Sequence, residues 1–353
     1  MHRIFLSLFA LSALLLLGAG CTLKLGGASQ GGIFKTLDSG ENWVPKQVIM
    51  VEGKKKSMGN DQITKLKIDA RNGKRVFAGT VSNGLYVTED AGETWNNVLT
   101  KVYVQDVALD SVSRCVVYVL TQGQLLKTTD CAKSWTVTYN ETRPNTALTS
   151  VESDPLQPEI VYLTSSDGDV LKSLDRGTTW TAIYRLSNTS ISDLVIDRWD
   201  SNLIYVATKD NGVFRSMNKG VSWEDVSIKN TEWFSHYPFR WIGPLSQKGG
   251  LLYVNSQGMY KSQSMGSSWE SVPLLTPEGE AVILAVAVNP QDDDEIFYAT
   301  QSTFYRTTDG GAHWVSRHLP SDRAAEVMLI DPYNIATVYL GTSVYKAASP
   351  FFR

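Results

Sequence analysis

The chain has 353 residues, of which 42% are hydrophobic and 20% charged, a globular composition and not a disordered one. Its 33 Lys and Arg stand against 36 Asp and Glu, a net charge of -3, and with no basic excess nucleic acid is excluded as a partner class. Ten Trp is a high load for this length, and the spacing of these residues proves regular. The chain opens with Arg3 as a positive n-region, followed by an apolar run from Ile4 to Leu17 broken only by Ser7 and Ser12. That run is shorter than the roughly 20 residues of a membrane span and reads as a signal peptide over 1–20. The following stretch to residue 31 is Gly-rich and patternless, and reads as a flexible tether.

The small residues Gly18-Ala19-Gly20 stand directly before Cys21. The arrangement resembles a bacterial lipobox, with Gly18 where a Leu is usual. The resemblance implies that Cys21 is acylated and becomes the mature N-terminus. The expected location is extracytoplasmic, with the protein anchored to the cell membrane or outer membrane, since several acyl chains anchor stably where one is marginal.

The body is repetitive. Eight-residue segments align without gaps at Thr36–Trp43 (TLDSGENW), Thr88–Trp95 (TEDAGETW), Thr128–Trp135 (TTDCAKSW) and Ser173–Trp180 (SLDRGTTW). They recur at Ser216–Trp223 (SMNKGVSW), Ser262–Trp269 (SQSMGSSW) and Thr307–Trp314 (TTDGGAHW). The intervals between the closing Trp residues are 52, 40, 45, 43, 46 and 45. The third-position residues Asp38, Asp90, Asp130, Asp175, Asn218, Ser264 and Asp309 can each accept backbone hydrogen bonds and tighten a turn. The Gly permits positive φ, and Ala132 in its place should strain or reshape the turn. The closing Trp43, Trp95, Trp135, Trp180, Trp223, Trp269 and Trp314 start the next strand and pack under the turn.

Each turn follows a short strand such as GLYVT or GVFRS. A second strand such as VFAGT or LIYVAT precedes that one across a Gly/Asn/Ser/Asp hairpin signal, and an inner strand such as KLKID or LVID comes earlier still. Four antiparallel strands repeated seven times predict an all-β, seven-bladed β-propeller over 32–347, with 348–353 as a tail. The first strand after the tether is already a third strand, and the chain ends on first and second strands. One blade should therefore be closed by pairing the N- and C-terminal strands.

The Ser/Thr-x-Asp-x-Gly-x-Thr/Ser-Trp pattern resembles the Asp box, or BNR repeat, and the resemblance covers residues 32–347. Asp-box propellers include sialidases, xyloglucan-cleaving glycosidases, sortilin-type receptors and photosystem II assembly factors. The run from Asp154 to Tyr162 (D-P-x-x-P-x-x-V-Y) is most similar to the last three groups, and a seven-bladed lipoprotein to the assembly and stability factors. This implies a non-enzymatic scaffold or assembly factor that binds a protein partner, with the box structural and on the face away from the binding surface. The alternative is a carbohydrate-binding or glycoside-cleaving surface protein. The sialidase Phe-Arg-Ile-Pro motif is absent, and Phe214-Arg215 precedes a box instead. No catalytic, metal or cofactor residues are assigned: His236, His313 and His318 have no metal-ligand spacing. The protein is read as monomeric.

Two blade-to-blade loops stand out as partner-binding candidates. One, Val44 to Asp61, carries Lys54, Lys55 and Lys56. The other, Glu232 to Trp241 (EWFSHYPFRW), carries Trp233, Phe234, His236, Tyr237, Arg240 and Trp241, residue types that dominate interface energetics and also stack on sugars. Arg143 and Arg185 on equivalent loops add cationic edges. Cys115 and Cys131 bracket a hairpin centred on Gln122-Gly123, so their thiols should face each other, and in an oxidising compartment they predict a disulfide.

Overall fold

The computed structural model describes residues 31–344 apart from 228–237, 257, 277–279 and 281. All regular elements among the described residues are strands. They form seven four-stranded antiparallel sheets and one two-stranded hairpin. Counted along the chain, the blades are one (63–99), two (106–140), three (148–185), four (191–225), five (239–271), six (285–318) and seven (324–343 with 33–45). Each inner strand packs against the next, and the inner strand of blade seven, Ala324–Asp331, packs against that of blade one, Ile63–Asp69, so the ring is closed.

Closure is by backbone pairing of the chain's two ends. Ile33–Thr36 is the third strand of blade seven and pairs with Asn334–Ser343 in a register from Ile33↔Gly341 to Thr36↔Val338.

The second strands are buried along both faces because a blade lies on either side, and their sequences accordingly open with three or four consecutive hydrophobic residues before a buried Ser, Thr or Asn. Equivalent positions carry Phe77, Tyr118, Tyr162, Tyr205, Leu252, Phe297 and Tyr339, all fully buried. Several of these rings point their hydroxyls at the next blade: Tyr118 donates to the Arg176 carbonyl (3.0 Å), Tyr162 to Lys219 (3.1 Å) and Tyr339 to Ala91 (3.1 Å). One side chain thus supplies apolar area to its own sheet and a polar tie to its neighbour.

Those carbonyls belong to the repeated turns. In the turn of blade seven, Thr36 Oγ1 donates to Asp38 (2.6 Å) and accepts from the Gly40 amide (3.1 Å), while Asp38 Oδ1 accepts from the Asn42 amide (2.8 Å). The hydroxyl donated by Thr36 heads the interactions that hold the Asp38 carboxyl down at about 2. Two consecutive residues are left-handed, Ser39 (φ 57°) and Gly40 (φ 98°). In blade two the same places hold Cys131 (φ 61°) and Ala132 (φ 68°). The turn is not reshaped there: the Ala132 amide still reaches Thr128 Oγ1 at 3.0 Å. The cost of the missing Gly is an alanine kept in the left-handed region. Cys131 is disulfide-bonded to Cys115, which bridges the base of this hairpin just outside the Val117↔Thr128 pair.

The long first interval of the repeat is not a simple loop. Val44–Pro45 completes blade seven, and Val48–Val51 then pairs with Lys54–Ser57 as a separate hairpin. Ile49 bridges Trp95 of blade one, and the Trp95 indole donates to the Lys46 carbonyl at 2.9 Å. The Gly31 amide donates to the Gly59 carbonyl (2.8 Å), so the hairpin also holds the start of the N-terminal strand. It straps the seam between blades seven and one.

Candidate functional site

The inner strands of the seven blades surround a channel with a cavity of about 450 Å³. Its wall is divided. Blades one to four contribute Lys65, Lys67, Asp106, Glu152 and Asp193, whereas blades five to seven contribute Trp241, Gly243, Val286, Val288, Val327 and Leu329.

The charged half is tied across blade boundaries. Lys65 Nζ lies 2.7 Å from Asp106 Oδ1, and Lys67 Nζ lies 3.1 Å from Glu152 Oε2. Asp106 Oδ1 also accepts from the Val107 amide (2.8 Å) and Oδ2 from the Val151 amide (3.0 Å). Ser150 Oγ sits between two carboxylates, 3.1 Å from Asp106 Oδ2 and 2.8 Å from Asp193 Oδ1. Burial alone would raise the Asp106 carboxyl, but Lys65 and Lys67 hold it below the usual range. Burial pushes both Asp193 and Glu152 up. Burial also opposes the charge on Lys65, and the neighbouring Asp106 carboxylate outweighs it, so the ammonium is held above its ordinary value.

At one end the cavity reaches the turns that join first to second strands, through Arg198, Pro244, Pro290 and Pro332. Six of these seven turns share one construction: an Asp or Asn side chain accepts the amide two residues on. The pairs are Asp69 with Arg71, Asp110 with Val112, Asp154 with Leu156, Asp197 with Trp199, Asn289 with Gln291 and Asp331 with Tyr333. The closed turn turns its last residue outward, and at four places that residue is apolar or aromatic. Val112 is 70% exposed, Leu156 55%, Trp199 59% and Tyr333 64%. Trp199 Nε1 donates to the Ser246 carbonyl of blade five at 2.9 Å, and the Tyr333 hydroxyl donates to the Ala70 carbonyl of blade one. Both rings are fixed by their polar end and leave an aromatic body in solvent. Arg198 reaches across the same mouth toward the carbonyls of Pro244 (3.4 Å) and Pro290 (3.5 Å), and burial weakens its charge.

The sequence-selected residues fall in several places. Trp233, Phe234, His236 and Tyr237 lie outside the described residues, as does Cys21. Arg240 and Trp241 lie on the inner strand of blade five, Phe239–Pro244, where Arg240 is exposed and Trp241 lines the channel. Lys54, Lys55 and Lys56 occupy the outer strand of the seam hairpin and are exposed, a placement that blunts a free sheet edge. Arg143 and Arg185 do converge, on one buried carboxylate: Arg143 Nη1 is 2.6 Å from Asp169 Oδ2, and Arg185 Nε meets Asp169 Oδ1. Arg143 also forks onto Glu141, so this edge carries as much acid as base. Among the described residues no group of three His, Cys, Asp or Glu is placed to hold a metal.

The channel residues Lys65, Asp106, Ser150, Glu152 and Asp193, and the mouth residues Trp199 and Tyr333, escaped the sequence reading. For the mouth, a signal existed: an Asp or Asn at the end of six of the seven inner strands is followed two positions later by the displayed residue, as in Asp197-Arg198-Trp199 and Asp331-Pro332-Tyr333.

No family model matches the chain, and no curated protein matches it. Solved structures do. A GH74 enzyme from Niastella koreensis is 16% identical with a TM-score of 0.68, over 80% of this chain and 51% of its own. This chain therefore spans about half of that enzyme. YCF48 from Cyanidioschyzon merolae is 16% identical with a TM-score of 0.63, over 80% and 95% of the two chains. A structure of YCF48 bound to D1 peptide is 16% identical with a TM-score of 0.62, over 82% and 94%. At these identities the likeness is one of fold.

Proposed function

We propose that this protein is an extracytoplasmic propeller, held at a membrane surface through acylated Cys21, that binds a segment of another polypeptide across the turn-lined mouth of its channel. The observation that carries this reading is the display of Trp199 and Tyr333, two large aromatic side chains fixed by hydrogen bonds to adjacent blades yet more than half exposed. Pre-fixed aromatic anchors surrender little entropy on binding and are the residue types that dominate interfaces. The D1 peptide bound by a YCF48 propeller of similar fold supports a polypeptide ligand. In this reading the repeated turns are Asp boxes that hold the blades and share the face of the mouth, contrary to the sequence expectation that they lie away from the binding surface, and the loops bearing Arg143, Arg185 and Lys54–Lys56 belong to the opposite face.

A second reading, glycan binding or cleavage, is favoured by the channel carboxylates Asp106, Glu152 and Asp193 beside Trp241, and by the GH74 likeness. Glycosidases require two carboxyl groups free to act as acid and base or nucleophile. Here Asp106 and Glu152 are both paired with lysines, which weighs against that role.

The test is crosslinking of the full-length protein in cells, compared with a Trp199→Ala/Tyr333→Ala variant of unchanged thermal stability. The expected outcome is a discrete protein captured by the wild type and lost from the variant. Equal capture by both would remove the mouth from the proposal. Capture of no protein, with retention on a polysaccharide column, would transfer the assignment to the glycan reading.

A further inference from the structure

We infer that Asp193 is held as the neutral carboxylic acid in the folded chain, sharing its proton with Ser150 Oγ, whose own proton goes to Asp106. The inference concerns the channel wall and is independent of which partner occupies the mouth.

The argument is a count of hydrogens. A serine hydroxyl carries one proton. Ser150 Oγ lies within hydrogen-bond distance of Asp106 Oδ2 (3.1 Å) and of Asp193 Oδ1 (2.8 Å). Were both carboxyl groups ionised, one contact would set lone pairs against lone pairs at a point where Ser150 and Asp106 are both buried. One additional proton removes the conflict.

The proton belongs on Asp193 because the two carboxyl groups are served unequally. Asp106 has the Lys65 ammonium at 2.7 Å and the amides of Val107 and Val151, all of which favour the anion. Asp193 has the Leu194 amide at 2.9 Å, and among the described residues no cation lies within ion-pair distance of it. The strands around it settle the charge count. Blade one supplies Lys65 and Lys67, blade two Asp106, blade three Glu152, and the inner strand of blade five only Arg240, which is exposed. Lys65 pairs with Asp106 and Lys67 with Glu152, and Arg198 at the mouth is directed to the carbonyls of Pro244 and Pro290, so the wall's cations are all engaged elsewhere. An ionised Asp193 would be the unpaired charge. The upward shift that burial imposes on it agrees in direction.

The channel therefore stores one proton opposite its apolar wall. When that proton leaves, the wall gains an unpaired negative charge, and the cavity becomes one that attracts a cation. The folded state prefers the protonated form. Its stabilising effect is complete below the ordinary carboxylate range and is lost as pH rises through the folded value.

The experiment is carboxyl carbon NMR of the full chain labelled at aspartate only, which leaves Glu152 silent, titrated from about pH 2 to about pH 9. One aspartate carboxyl should ionise clearly later than all others and be missing from Asp193→Asn. That variant preserves the arrangement, because its amide donates where the acid did, and its melting temperature should fall less than the wild type's between about pH 5 and about pH 8. Ionisation of every aspartate carboxyl by about pH 5 in the wild type would overturn the inference, with or without a folded variant. A late resonance that persists in Asp193→Asn, or is unmoved in Ser150→Ala, would overturn it equally.

Discussion

The two halves of the channel wall solve the same packing problem by opposite means. Blades five to seven bring Trp241, Val286, Val288, Val327 and Leu329 together, and their inner strands adhere as apolar surface leaving water. Blades one to four bring three carboxyl groups and two ammonium groups together at the same depth, joined by Ser150. The apolar half tolerates variation in shape at moderate cost. The charged half is stable only while complete, because each buried charge depends on its partner. A ring whose blades are otherwise near copies thus holds one arc by generic adhesion and the other by a specific network.

The largest effect should come from breaking one charge pair. Lys65→Met leaves Asp106 buried and unpaired, and should cost about 3–5 kcal/mol in urea unfolding. Met328→Ala in the apolar arc should cost about 2–5 kcal/mol, graded by how far the site collapses. The contrast lies in rescue: adding Asp106→Leu to Lys65→Met should restore much of the loss, whereas no second truncation rescues Met328→Ala. If the double variant is no better than the single one, the charged arc is not a network.

A next test sharpens the contrast within the charged arc. Blade two holds the disulfide, which closes a sequence separation of 16 residues. Replacing both cysteines by Ser should cost about 3 kcal/mol by chain entropy, measured under non-reducing conditions.

The pH profile separates the channel carboxyls from those of the repeated turns without mutation. Asp193 and Glu152 are raised, so their contribution declines as pH rises through their folded values. Asp38 and Asp309, held near 2 by turn hydrogen bonds, contribute in the other direction, and that contribution fades as pH falls from the ordinary carboxylate range toward about 2. A stability maximum in mildly acid solution is expected. Asp193→Asn should move its alkaline limb and leave the acid limb in place.

The smallest effect is a gain. Ala132→Gly relieves a left-handed alanine and should stabilise by about 1 kcal/mol. The same change in the opposite sense, Gly40→Ala, would drive a methyl to 2.2 Å from the Phe304 ring and should be strongly destabilising.

How much of this was legible follows from what repeats. Seven Trp at nearly constant spacing carry the blade count, and a chain that starts on a third strand and stops on a second carries the ring closure, so Ile33–Thr36 against Asn334–Ser343 could be anticipated. The site does not repeat. Lys65, Asp106, Ser150 and Asp193 each occupy an alternate position on an inner strand, where a polar residue reads as an ordinary exposed one. They are some 40 residues apart in sequence, and only the packing of successive inner strands makes them neighbours. Lys54–Lys56 were legible as an exposed cationic run, but the hairpin that carries them along its outer strand and straps the seam was not. The cysteines were legible because a hairpin is local, and its register relates 115 to 131 directly.

The seam also governs timing during synthesis. Ile33 pairs with Gly341, so one of the earliest strands to leave the ribosome waits for one of the last. Blades one to six are each contiguous and can form in succession as the chain emerges. Until residue 341 arrives, however, the strand at 33–36 is paired only with Val44–Pro45, and the growing arc presents an unpaired edge at both ends. Translational pauses late in the message, or loss of the last strand, would therefore harm the first-made segment as much as the last-made one, and aggregation of nascent chains should originate from residues near the start.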